Sequence, residues 1–78
     1  MNKEEFDVLM LAIVSDFLKK IMKDKNCDIN QAMEILYNSK LYRMLEDEKT
    51  KLWQYSSYRL LGLLNQEINN GFIEFADV

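Results

Sequence analysis

The sequence contains no histidine and no proline, and only one cysteine and two glycines among 78 residues. Without histidine there is no imidazole for acid/base work near neutral pH, no Ser-His-Asp or Cys-His nucleophile, and none of the commonest zinc ligand. The lone Cys27 cannot form an internal disulfide and agrees with a reducing compartment. Absence of proline leaves every candidate helix free of that stop or kink. Long apolar runs are missing too: Val8 to Val14 falls far short of the roughly 20 residues of a membrane span. The opening "MNKEEF" carries acids where a secretory leader would carry positive charge. A cytoplasmic protein that does not enter membranes is expected.

Positive charge is also in short supply. Ten Lys and Arg stand against 13 Asp and Glu, for a net charge of -3 and a pI near 4.8. Such a balance disfavours general binding to phosphate backbones, so nucleic acid is not the expected partner. Glu46, Asp47 and Glu48 form the densest acidic run, but consecutive residues at a helix end point in different directions and cannot chelate one ion together. The run reads as a solvated turn. No catalytic, cofactor-binding or metal-binding residue is assigned, and the chain is not expected to be an enzyme.

What remains is a chain 49% hydrophobic, enough for a core. A domain this small buries only about 60% of the surface its unfolded form exposes, and usually needs a disulfide, a metal or association with another chain. With the first two removed almost entirely by composition, a homo-oligomer or a protein partner is the expected reinforcement.

Periodicity divides the chain into about four helices. Asn2 and Glu5 form a candidate capping pair for a first helix over about Lys3 to Asp24. Phe6, Met10, Ile13, Phe17 and Ile21 fall on one stripe of it, and Leu11, Val14, Leu18 and Met22 on a second beside the first. Together they span roughly half the circumference, wider than the usual apolar arc of about 100°. The helix is therefore either the centre of the bundle or part of an interface with another chain. Lys23 to Asp28 reads as a polar loop, after which Asp28 and Gln31 repeat the capping-box pattern. Ile29, Ala32, Met33 and Leu36 form the expected buried face of the second helix.

Continued past Asn38, that helix would turn Leu41, Met44 and Leu45 away from the buried face, so a third helix is expected over about Lys40 to Asp47, capped by Ser39. The fourth starts at Ser56 or Ser57 and ends at Asn70, with Gly71 beyond it and a core face of Leu60, Leu61, Leu64 and Ile68 flanked by Leu63. "FIEFADV" has no helical period and forms a short tail, with Phe72 and Phe75 expected to dock on the bundle. The fold class is thus all-α: a small bundle with a non-helical C-terminal tail.

Aromatic residues with a polar tip gather in the middle of the chain: Tyr37, Tyr42, Trp53, Tyr55 and Tyr58. Such side chains are enriched at the hot spots of protein interfaces, though they also seal the rims of small cores. Gly62, inside the fourth helix, costs about 1 kcal/mol against alanine and would suit close approach by a partner backbone. Tyr42, Trp53, Tyr55, Tyr58 and Gly62 are the candidate partner-binding residues.

The spacing Ser39, Tyr42, Leu45, Asp47, Thr50, Leu52, Trp53 and Ser56, written S-x-x-Y-x-x-L-x-D-x-x-T-x-L-W-x-x-S, resembles the signature of a family of small bacterial all-helical proteins of unknown function. It covers part of the chain, is followed by a leucine-rich helix and a tail after Gly71, and lacks the proline such tails tend to carry. The resemblance implies a structural motif and an antitoxin-like or accessory role, with no catalytic residue. The function expected is a non-catalytic protein-protein interaction module, acting by self-association or on one partner. The alternative from another class is a small dimeric DNA-associated regulator.

Overall fold

In a computed structural model, described for residues 2–71 and Ile73, the order of elements is α1 (Lys3–Lys25), α2 (Ile29–Tyr37), α3 (Lys40–Glu46), two 3-10 turns (Glu48–Thr50 and Leu52–Gln54) and α4 (Ser57–Asn70). Among the described residues there is no strand, and no helix is long and apolar enough to cross a membrane.

Local sequence accounts for most helix ends. The Glu5 amide donates to Asn2 Oδ1 at 2.8 Å, as a cap should; Glu5, however, accepts from the Asn2 side-chain amide rather than from the backbone, so only half of the expected box forms. α1 runs one residue past its expected end, to Lys25, and stops where Asn26 takes a left-handed conformation that its short polar side chain tolerates. The first loop therefore shrinks to Asn26–Asp28. The second box is complete, with Gln31 donating to Asp28 Oδ1 at 2.8 Å and Asp28 donating to Gln31 Oε1 at 3.1 Å. α4 is capped by Ser56, and Gly71 follows it at φ 79°, the left-handed conformation that glycine adopts without a Cβ penalty.

Between α2 and α3 the chain turns on Ser39, one of few polar residues fully inside. Its hydroxyl donates to the Leu36 carbonyl and accepts from the Tyr42 amide, closing one helix and opening the next. Two further amides of α3 are satisfied from far along the chain. Glu67 on α4 accepts from Lys40 at 2.8 Å through one carboxylate oxygen and from Leu41 at 2.9 Å through the other. Ser39 and Glu67 thus supply partners for the first three amides of α3, which no helix can pair internally.

Phe17, Ile21, Leu36, Leu41, Leu45, Leu60 and Leu64 form the centre of the core, with Leu52 brought in by the second 3-10 turn. α1 packs on both α2 and α4. The domain is a slab only 19 Å in its shortest dimension, about two helix diameters. One side of α1 is consequently left uncovered: Val8 and Leu11 stand exposed although Leu11 belongs to the expected apolar stripe. Two other expectations fail near helix ends. Ile29, in the first turn of α2, and Ile68, in the last turns of α4, lie exposed because neighbouring helices do not extend over those ends. α3 also ends at Glu46, one residue early, since Asp47 adopts an extended conformation. The expected docking of Phe72 and Phe75 lies outside the described residues; Ile73 is half-buried against the core.

Removing the long-range cap tests this arrangement. Glu67→Ala is expected to lower unfolding stability by about 1 to 3 kcal/mol, measured by urea denaturation, because two amides at the start of α3 lose their charged acceptor. Glu67→Gln, which can accept only one of the two bonds, should fall between.

Candidate interaction surface

The acidic run and Trp53 form a turn with its own internal logic. Asp47 accepts from the Lys49 amide at 3.0 Å and starts the first 3-10 turn. Thr50 Oγ1 donates within reach of the Met44 and Asp47 carbonyls, at 2.6 and 2.8 Å, and accepts from Leu52 at 3.3 Å. Lys51, left-handed at φ 58°, then redirects the chain so that Leu52 is buried. Trp53 is half-buried: its Nε1 donates to the Glu48 carbonyl at 2.9 Å, and its ring meets Phe6 edge-on with centroids 6.3 Å apart. The indole therefore ties the turn to the first helix.

The five residues singled out from the sequence do not share one face. Tyr42 is half-buried and stacks edge-on with exposed Tyr37, centroids 4.9 Å apart. Burial, and then Glu46 and Tyr37 beside it, raise the Tyr42 phenol above its ordinary value. Tyr55 is half-buried beneath the Arg59 guanidinium, 4.6 Å from its ring centroid. Tyr58 is exposed on the other side of α1, with Lys20 Nζ 5.3 Å from its ring centroid. Gly62 faces open space: a Cβ built there meets nothing within 4 Å, so no contact inside the fold requires glycine.

A groove lies between α1 and the corner joining α2 to α3, with a volume of about 340 Å³. Phe6, Met10 and Val14 with Tyr42 form its wall, and Trp53 supports Phe6 from behind. Leu11 at 74% exposure and Tyr37 at 46% stand on its edges, and Val8, 67% exposed, is one helical turn from Leu11 on α1. The charged residues lining it are Asp7 and Glu46, both exposed and neither in an ion pair among the described residues. Here Tyr37 and Tyr42 of the central aromatic group meet the broad apolar arc of α1.

A larger cleft of about 770 Å³ opens between the end of α1, α2 and α4, over Ile35, Leu64 and Ile68, with Cys27 at its edge. Several of its polar groups are already occupied by the fold, although among the described residues the exposed Glu34 carboxylate is not. Glu67 caps α3, while Lys25 bonds Asn65 and pairs with Asp24 at 3.4 Å. Among the described residues no three of Cys, Asp and Glu are grouped so as to hold a metal ion.

On the far side of α1, Ser57 donates a hydrogen bond to Asp16, and Lys20 lies 3.7 Å from the same carboxylate. The Ser57 hydroxyl, chiefly, holds the Asp16 carboxyl below its ordinary value of 3.8; burial opposes this, and Lys20 and Lys19 assist. A depressed folded-state value means that the contribution to stability is present above the unfolded value and is lost as pH falls through the folded one. In an NMR titration Asp16 should therefore titrate below 3.8, and Ser57→Ala should move it back upward. Gly62→Ala is expected to raise stability by about 0.5 to 1 kcal/mol and so increase the melting temperature, since the added methyl meets no atom and removes unfolded-state freedom. No protein-family model matches the chain, and no curated protein and no solved structure matches it either.

Proposed function

We propose that this chain is a non-catalytic protein-protein interaction module of the cytoplasm, which engages another protein chain through the groove between α1 and Tyr37 and Tyr42. The observation that carries the reading is the exposure of Leu11 and Tyr37 on a largely apolar groove, with exposed Val8 one helical turn from Leu11. Single exposed apolar residues are ordinary on any protein, but contiguous ones beside a concave apolar wall mark contact sites. Val8 and Leu11 are placed at a helical spacing that a neighbouring helix could cover. Exposed Tyr37 adds an aromatic body with a polar tip, a side chain enriched at such contacts.

An antitoxin-like or accessory role is one form that such a module could take, with the contact itself as the activity.

The test compares the tagged protein with its Leu11→Asp variant, both expressed in the native cells. Leu11 is largely solvent-exposed, so the variant should keep its circular dichroism spectrum and melting temperature to within about 0.5 kcal/mol of stability. The unmodified chain is expected to be recovered with a stoichiometric protein bound, or as a defined oligomer by light scattering, and the variant to lose it. Identical recovery from both, or a monomer with nothing bound from both, would overturn the reading.

A further inference from the structure

We infer that the occupant of the α1 groove is a basic amphipathic helix of a different protein, its apolar side chains entering the groove and its Lys or Arg residues meeting Asp7 and Glu46. This rests on the interaction reading above and specifies its partner. Of the five residues that α1 contributes to the lining, Asp7, Met10, Leu11 and Val14 follow the i, i+3, i+4, i+7 spacing of one helix face, with Phe6 beside them, and a helix laid along it would meet it with the same period. Recognition by strand addition has nothing to pair with, because the described residues include no strand edge.

Charge selects among the occupants. The groove is lined by two carboxylates and by no lysine or arginine. A second copy bound about a two-fold axis would set this surface against itself, bringing four carboxylates into a partly dehydrated contact without a lining cation. An anionic lipid surface would meet the same two carboxylates on a chain that is already at -3. A helix with cationic flanks relieves both charges, and its hydrocarbon stems cover the exposed edges formed by Val8 and Leu11. Asp7 and Glu46 are open to such pairing, whereas of the two carboxylates lining the larger cleft, Glu34 and Glu67, the latter is occupied by backbone amides.

The experiment uses two designed peptides of about four helical turns, with leucines at i, i+3, i+4 and i+7 and either lysines or glutamates at all flanking positions. Each is titrated into the full chain, with isotope-edited NMR reporting both affinity and location. The lysine peptide is expected to bind about tenfold more tightly than the glutamate peptide at low salt, with the preference shrinking at high salt. Its shifts should centre on Val8, Leu11, Tyr37 and Tyr42. Replacing both rim acids, Asp7→Lys with Glu46→Lys, should reverse the preference, and the exposed positions of both residues leave the core intact. Equal binding of the two peptides at those residues would overturn the basic partner and leave the interaction module standing. No binding by either peptide, with self-association lost in Leu11→Asp, would assign the groove to a second copy instead. No binding by either, together with an unaltered Leu11→Asp variant, would overturn both readings.

Discussion

The bidentate contact from Glu67 to the Lys40 and Leu41 amides governs how the parts of this domain can be arranged. Ser39 sets a sharp corner between α2 and α3, but a seven-residue helix has little stability of its own. A carboxylate arriving from α4 pairs with two of its orphan amides and opposes the positive end of its dipole. That fixes α3 against α4, and with it the direction in which Leu41 and Leu45 enter the core. Tyr42 is positioned by the same turn, so the corner of the groove is held from the opposite side of the bundle.

Size supplies the second constraint. A slab two helices thick can cover α1 from one side only, yet α1 is apolar around roughly half its circumference. Phe17 and Ile21 satisfy the core, which leaves Val8 and Leu11 with no neighbour to cover them. The interaction proposed above would cover this excess of apolar surface. The proposed function starts from this mismatch between the apolar arc and the thickness of the fold, and the proposed partner from the two carboxylates lining the groove.

The acidic run ahead of Trp53 illustrates how a conspicuous sequence feature can serve the fold while supporting a site indirectly. Glu46, Asp47, Lys49 and Lys51 are exposed, its backbone is held by Asp47 and Thr50, and its indole returns to Phe6. Phe6 in turn lines the groove. Trp53 thus acts behind the candidate surface, supporting its wall.

The sequence alone determined the elements whose causes are local. Caps at Asn2, Asp28, Ser39 and Ser56, the phase break after Asn38 and the glycine after Asn70 all act over a few residues, so four helices and their approximate ends could be read directly. The width of the apolar arc on α1 was legible too, and it raised the choice between a central helix and an interface. Tertiary structure decided how much of that arc is covered within the fold, because exposure of Leu11, Ile29 and Ile68 depends on how far neighbouring helices extend over them. It alone paired Glu67 with α3, 27 residues from Lys40, where no local spacing signals the contact. It also separated Tyr58 and Gly62 from Tyr42 and joined Tyr42 with Leu11 in one groove. Periodicity fixes which side of a helix is apolar; only the packing of the other helices determines how much of that side is hidden from water.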